Sequence, residues 1–125
     1  MAQFQYIQIC EDIREEIGEK FSLLGVYEDK IILPQLPFLF HQLAFYCKFD
    51  DVKEDDVFNF YIKTPSKEIK IINDYRCDSS NNTKRGIFNV FLRPFQIVEI
   101  GNYEAVAKIG NDEYKREFTV QKIEQ

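Results

Sequence analysis

Apolar residues recur at every second position through much of this chain, and that period of two constrains the fold more than any other feature. Residues 57–63, 68–72 and 103–109 alternate in this way. The clearest example is the segment 43–49, whose apolar face carries Leu43, Phe45, Cys47 and Phe49. Successive side chains of a β-strand point to opposite faces, so this period is typical of half-buried strands. The sequence therefore predicts an all-β protein.

The size and composition predict one folded domain, residues 1–125. A chain of 125 residues buries one hydrophobic core, and its 12 phenylalanines and 7 tyrosines are typical of a folded protein. No long amphipathic pattern indicates a helix, and turn residues separate the strand-like segments. We expect a single-domain antiparallel β-sandwich of about seven to nine strands.

The opening segment, residues 11–17, has two interpretations. It can form a short helix with Asp12 as its N-cap and with Ile13 and Ile17 on one face. It can also form one arm of a β-hairpin that turns at Gly18. We favour the hairpin, because residues 20–27 look like a strand that needs a neighbour and a helix of two turns is marginal alone.

Two further segments indicate how the sheets connect. Pro34 and Pro37 remove backbone donors, so we expect residues 32–40 to cross between sheets or to follow a sheet edge, and we favour the crossing. The segment 87–92 is apolar on both faces, which indicates either a central strand or a strand covered on its second face.

The last two strands form a predicted hairpin that turns at residues 110–112. Gly101, Asn102 and Tyr103 at its entrance resemble the corner of immunoglobulin-like sandwiches in which a tyrosine hydroxyl bonds to upstream backbone. Position 105 is alanine rather than the disulfide cysteine, and the chain lacks tryptophan. The resemblance therefore implies an immunoglobulin-like Greek key in the loose sense.

The first third of the chain resembles a family of small uncharacterised bacterial proteins. The matching pattern combines a Cys-x-Asp strand, a Gly-Lys turn with a Ser-Leu strand, and a Pro-x-x-Pro crossing. It is carried by Cys10, Asp12, Gly18, Lys20, Ser22, Leu23, Gly25, Tyr27, Pro34 and Pro37. The resemblance implies a bacterial or phage origin and a compact β domain, and it implies no activity.

Charge and cysteine usage argue against several classes of protein. A net charge of −5 disfavours nucleic-acid binding, which depends on cationic side chains that neutralise phosphates. We expect neither a membrane span nor a signal peptide, because no apolar run reaches ~20 residues and the N-terminus has no basic start. Cys10, Cys47 and Cys77 form no CxxC pair, and we expect reduced thiols in a cytoplasmic protein.

No catalytic constellation is visible, so we expect a protein that is not an enzyme and that needs no cofactor. The one histidine, His41, is about 20 Å along an extended strand from Cys47, its nearest thiol in sequence. We interpret His41 as a structural residue at a strand start. The five glycines occur singly, and none forms a phosphate-binding loop.

Two polar segments are candidate binding loops. Residues 50–56 concentrate five acids, and their oxygens are weak candidates for binding calcium. Those acids are Asp50, Asp51, Glu54, Asp55 and Asp56. A solvated charged loop is the favoured interpretation. Residues 74–86 form the one long polar stretch between predicted strands, either a flexible connection or a binding loop.

The function that we expect is a bacterial, non-catalytic interaction module. It would contact a protein partner through an edge strand or end loops, and a homodimer through an edge strand is one form of that contact. The alternative is a sandwich that binds calcium or a small ligand through residues 50–56. A hydrolase is the least favoured possibility.

Overall fold

The computed structural model describes residues 5–18, 20–50, 52–77 and 86–123. Within these ranges the chain forms strands joined by turns. In chain order they are β1 (Gln5–Cys10), β2 (Asp12–Glu16), β3 (Lys20–Leu24), β4 (Lys30–Leu33), β5 (Phe38–Phe40), β6 (Leu43–Phe49), β7 (Val57–Lys63), β8 (Glu68–Arg76), β9 (Ile87–Leu92), β10 (Phe95–Ile97), β11 (Gly101–Ile109) and β12 (Asp112–Lys122). These ranges contain no helix with the length and hydrophobicity needed to cross a membrane.

Two sheets make up most of the fold. A three-stranded sheet has the order β1-β6-β9, and a five-stranded sheet has the order β4-β12-β11-β7-β8. Neighbouring strands are antiparallel, except that β4 runs parallel to β12. In the pair β11–β12, Gly101 lies opposite Val120 and Ile109 lies opposite Asp112. The predicted C-terminal hairpin is therefore confirmed.

The alternating apolar side chains of both sheets meet in one core. Phe58 of β7 stacks on Phe88 of β9 with ring centroids 4.1 Å apart. Phe45 of β6 and Phe60 of β7, both fully buried, have centroids 5.2 Å apart. Each buried phenylalanine contributes about 1.5–3 kcal/mol relative to an exposed one, so these contacts hold the sheets together. The predicted antiparallel all-β sandwich is confirmed.

The hairpin β2–β3 covers the outer face of the three-stranded sheet. Asp12 lies opposite Leu24 and Glu16 lies opposite Lys20, and Gly18 in the turn has a φ of 92°. Apolar side chains of the hairpin and of the sheet form a second, smaller core, whose buried members are Cys10, Ile13, Ala44, Tyr46 and Ile87. Residues 12–16 are therefore a strand, which confirms the hairpin interpretation over the helix.

Strand β9 is apolar on both faces because both faces are covered. Val90 belongs to the core between the sheets, whereas Ile87 and Phe91 pack in the smaller core beneath the hairpin. Among the described strands, β9 pairs with β6 alone. The expectation of a covered second face is confirmed, and the alternative of a central strand is wrong.

The segment with the prolines crosses between sheets, as expected. β4 forms one edge of the five-stranded sheet, and β5 pairs with β10 in a separate two-stranded sheet. Pro34 and Pro37 lie in the link between β4 and β5. This link is outside the sheets, so the absence of their N–H groups costs no hydrogen bond between strands. Such bends divide the chain into more and shorter strands than expected. The described ranges contain twelve, so the expected seven to nine was too low.

The polar stretch 74–86 is only partly a loop. Strand β8 continues to Arg76, which lies opposite Val57, and Tyr75 lies opposite Phe58. Asp74 has a φ of 54°, and its backbone N–H donates a 2.8 Å hydrogen bond to the side-chain oxygen of Asn59. This bond joins the two strands where the regular ladder is interrupted, and pairing resumes at Tyr75 and Arg76. The prediction of a loop over 74–76 was therefore wrong. Residues 78–85 lie outside the described ranges.

The strand order resembles that of immunoglobulin-like sandwiches. The neighbours β12, β11, β7 and β8 correspond to strands G, F, C and C′, and β6 and β9 correspond to B and E. Tyr103, near the start of β11, donates a 2.7 Å hydrogen bond from its hydroxyl to the backbone oxygen of Glu99. The predicted tyrosine corner is confirmed. Ala105 is buried where an immunoglobulin disulfide would have its second cysteine, and the three cysteines are buried thiols that form no disulfide.

Candidate interaction surface

The thiols of Cys10 and Cys47 are not placed to act as nucleophiles with His41. His41 is exposed in the link between β5 and β6, whereas Cys10 and Cys47 are fully buried. Burial, reinforced by the Asp12 carboxylate, raises the pKa of the Cys10 thiol from 9.0 to about 11. Burial also raises the pKa of Cys47. A reactive thiol must ionise, and these two stay protonated at neutral pH. That the chain is not an enzyme stays a prediction.

Two of the described acids of the 50–56 loop have contacts within the local structure. Asp55 lies 3.8 Å from the guanidinium of Arg76, and the Asp56 carboxylate accepts a 2.9 Å hydrogen bond from the Lys53 backbone N–H. Glu54 is exposed in the turn, Asp50 is half-buried, and Asp51 lies outside the described ranges. The described residues bring no three metal-ligating side chains together. The alternative of calcium binding stays an untested prediction.

A tight corner holds the segment before β11 in place. Besides the bond from Tyr103 to the Glu99 backbone, the Glu99 carboxylate accepts hydrogen bonds from Ser66 at 2.5 Å and from Thr64 at 3.3 Å. Gly101 packs on the 64–67 turn so closely that a β carbon there would lie 2.9 Å from Cγ of Pro65. The corner therefore links the β7–β8 turn to Glu99 and Gly101, and so fixes the position of the backbone at Ile100, which lies between them.

Three exposed isoleucines lie beside this corner. Ile32 of β4 is 56% exposed, Ile100 is 54% exposed and Ile123, after β12, is 47% exposed. Together they line one open depression of about 1020 Å³, with Gly101 and residues 119–122 of β12. We call Ile32, Ile100 and Ile123 the isoleucine patch. Single exposed aliphatic residues need no explanation, but a shared apolar depression is typical of an interaction site.

The patch borders the free edge of β4. The carbonyl oxygens of Asp29 and Leu33 accept hydrogen bonds from Thr119 at 3.0 Å and from Ile123 at 2.8 Å. Because backbone groups alternate in direction along a strand, those of Lys30 and Ile32 face away from β12. Among the described strands, none pairs with that side of β4. Pro34, which has no N–H, follows the strand and limits any added pairing to about four residues.

A second depression on the same sheet has a different character. It has a volume of about 560 Å³ and is lined by charged and polar side chains, including Lys63, Glu104 and Glu117. Glu104 lies between Lys63 and Glu117 in the strand pairing, so one positive and two negative side chains lie side by side here. Such a face interacts well with water and carries no sign of a particular ligand.

The sequence contained a signal for the isoleucine patch that alternation could have identified. Strand β4 reads Lys30, Ile31, Ile32, Leu33, and the middle isoleucine of such a run points away from the core. We predicted from the sequence that an edge strand or end loops would bind a partner, but we did not identify β4 or the isoleucine patch. None of the described acids in the 50–56 loop lines the patch depression.

Comparisons with known proteins add no family to this geometry. No protein-family model matches the chain, and no curated protein matches it significantly. The resemblance of the first third to small bacterial proteins therefore stays a prediction.

Proposed function

We propose that this protein is a non-catalytic interaction module that binds an extended segment of another protein along β4 and the isoleucine patch. The observation that carries the proposal is the shared depression of Ile32, Ile100 and Ile123 beside an edge strand with outward backbone groups. An added strand would bond to the Lys30 and Ile32 backbone, and its side chains would cover the isoleucines. Strand addition of this kind combines main-chain hydrogen bonds with pockets for alternate side chains.

The edge is short, and its shortness supports recognition of a short segment. Natural proteins protect free edges with short strands, lysine and proline, and β4 has four residues, begins at Lys30 and is followed by Pro34. Extensive pairing between sheets is thereby discouraged. The corner around Tyr103 holds the backbone next to Ile100 in place before binding, so little backbone conformational entropy is lost when a partner covers it.

We place the module in a reducing compartment such as a bacterial cytoplasm. The support is that Cys10, Cys47 and Cys77 are buried inside the fold and form no disulfide. Free buried cysteines behave as small apolar side chains, and they persist where thiols are kept reduced.

A photo-crosslinking comparison tests the proposed function. A photoreactive phenylalanine analogue replaces Ile32 in one variant and Lys108, an exposed residue of β11, in a control variant. In a lysate of the native cells, we expect adducts from position 32 that are absent from position 108. Adding the substitution Ile100→Asp should abolish those adducts. Identical adducts from both positions, or none from position 32, would overturn the proposal.

A further inference from the structure

The turn between β7 and β8 presents an exposed hydroxyl group at its tip. Ser66 lies between Pro65 and Lys67, and its side chain is exposed. The Thr64 N–H closes the turn with a 2.8 Å hydrogen bond to the Lys67 carbonyl oxygen. The Thr64 hydroxyl also accepts bonds from the backbone N–H groups of Ser66 at 3.3 Å and of Lys67 at 3.0 Å. These bonds shape the turn without the Ser66 hydroxyl, and exposed loop tips are the places that other enzymes reach most readily.

The Ser66 hydroxyl is used to hold a residue next to the isoleucine patch. It donates a 2.5 Å hydrogen bond to the carboxylate of Glu99, whose side chain is half-buried. The carbonyl oxygen of Glu99 accepts the bond from Tyr103 that forms the corner before β11. Ile100, which lines the patch depression, is the next residue in the chain. Glu99 therefore couples the tip of the turn to the backbone at Ile100.

A negative charge on Ser66 would break this coupling. Phosphoserine carries a charge of about −1.5 to −2 at neutral pH, and beside an acidic side chain it disrupts local structure by repulsion. Its ester oxygen also has no hydrogen to donate to Glu99. Salt gives little screening over the length of a hydrogen bond, because the Debye length is about 8 Å. Lys67 can pair with the phosphate, but it does not restore the donor that Glu99 loses.

We infer that Ser66 is a phosphorylation site and that its phosphorylation weakens binding at the isoleucine patch. This inference rests on the proposed function and gives the regulation of that site. A protein kinase would transfer the γ-phosphoryl group of ATP. The Ser66 oxygen forms a bond to phosphorus, the bond from phosphorus to the bridging oxygen breaks, and ADP and the hydroxyl proton are released.

Mass spectrometry tests the modification. The full chain is incubated with ATP in a lysate of the native cells and recovered, and phosphate should be found on Ser66. Ser22 is the internal comparison, because it is also a serine bonded to a glutamate, Glu16, but it is half-buried within β3. Absence of phosphate from Ser66, or equal phosphate on Ser22, overturns the inference.

Crosslinking from position 32 measures the effect on binding. Ser66→Asp should lower the yield of adducts at least about 5-fold, the lower end of typical coupling between sites. Ser66→Asn has nearly the same size without the charge, and Asn111→Asp adds the charge at the distant β11–β12 turn. Both controls should keep most of the adducts. Combining Glu99→Gln with Ser66→Asp should restore the adducts, because the repulsion is then removed.

The remaining outcomes separate this inference from the proposed function. Adducts that Ser66→Asp leaves unchanged, or whose loss Glu99→Gln does not reverse, overturn the inference and leave the interaction module standing. Absence of position-32 adducts from the unmodified chain overturns both. By NMR, Ser66→Asp should shift the backbone amide signals of Ile100 and Gly101 but not those of the β2–β3 hairpin. Shifts throughout the chain would assign the lost binding to unfolding and overturn the inference.

Discussion

Gly86 and Phe49 contact each other so closely that no other residue type fits at position 86. A β carbon on Gly86 would lie 1.7 Å from the backbone oxygen of Phe49, and the φ of Gly86 is 74°. The Gly86 backbone oxygen accepts a 2.8 Å hydrogen bond from the Phe49 N–H. This contact joins the end of β6 to the start of β9, two of the three strands of the sheet that faces the five-stranded sheet.

Gly86→Ala should therefore destabilise the protein strongly. The backbone conformation alone costs about 1–2 kcal/mol for alanine, and the overlap with Phe49 forces the strands apart, so we expect a loss of about 3 kcal/mol or more. Gly18→Ala is the matched control, because its φ of 92° is also unfavourable but no atom lies within 4 Å of the added carbon. That variant should lose about 1 kcal/mol. Urea unfolding measures the free energy of unfolding of both variants. Equal losses would show that the close approach of Gly86 to Phe49 adds nothing to the cost of the backbone conformation.

Removal of the Tyr103 hydroxyl should destabilise the corner before β11. Tyr103→Phe leaves the Glu99 backbone oxygen without this donor, and we expect a loss of about 1–3 kcal/mol in unfolding free energy. Tyr61→Phe is the control, because the Tyr61 hydroxyl bonds to the exposed carboxylate of Glu113 at 3.2 Å. Its loss should be about 0.5 kcal/mol. If thermal and urea unfolding show Tyr61→Phe to be the more damaging change, the corner has no stabilising role.

Gln42 should anchor the base of the β2–β3 hairpin. Its amide donates to the Glu11 backbone oxygen at 2.8 Å and to the Asp12 carboxylate at 2.9 Å, and its oxygen accepts from Arg93 at 2.5 Å. In Gln42→Ala, the amides of β2 and β3 should exchange with solvent deuterium faster, while those of β11 and β12 stay unchanged. Replacing the exposed Gln96 by alanine should change neither set. Uniform acceleration in all strands would contradict a local role.

The same bond should affect the titration of Asp12. The hydrogen bond from Gln42 is the main cause of the lowered pKa of the Asp12 carboxylate, with help from the Ile13 N–H and Arg14. Because this pKa is lowered in the fold, ionised Asp12 stabilises the folded state at every pH above 3.8, its ordinary pKa. This stabilisation is lost as the pH falls through the lower pKa of the folded state. In Gln42→Ala, the pKa of Asp12 measured by NMR should rise. An unchanged value would show that Gln42 does not set it.

The buried thiols should make the protein less stable in alkali. The pKa of Cys10 is about 11 in the fold against 9.0 ordinarily, so the folded state holds its proton where the unfolded state releases it. Stability from this source is complete below pH 9 and is lost as pH rises towards 11. Replacing Cys10 and Cys47 by alanine should make the decline between pH 9 and 10 shallower. An equally steep decline in that variant would assign the effect to other groups, such as Tyr103.

Calcium should leave the melting temperature nearly unchanged. Asp55 and Asp56 are already engaged by Arg76 and by the Lys53 backbone, so both carboxylates would have to give up contacts to bind an ion. A bound ion must raise the melting temperature by mass action. At 5 mM calcium we expect a shift below about 1 °C, within the change that weak screening of charge produces. A larger rise that disappears in Asp56→Asn would revive the alternative of calcium binding.

Several parts of the fold could be predicted because they depend on local chemistry. The period of two gave the strands, the glycine at position 18 gave the first hairpin, and Gly101 with Tyr103 gave the corner. The irregularity near Asp74 could not be predicted in this way. It depends on Asn59 of the neighbouring strand, which reaches the Asp74 N–H only after the chain has folded.

The sequence by itself determined that this chain is a β-sandwich, because alternation assigns each side chain to a face of its own strand without knowledge of any neighbour. Only the tertiary structure decided which strand would be an edge and which isoleucines would meet. Ile32, Ile100 and Ile123 come from three separate segments, and each has the same apolar chemistry as the buried isoleucines around it. Their exposure follows from the pairing of β4 with β12 and from the corner beneath Ile100, which are contacts between distant parts of the chain.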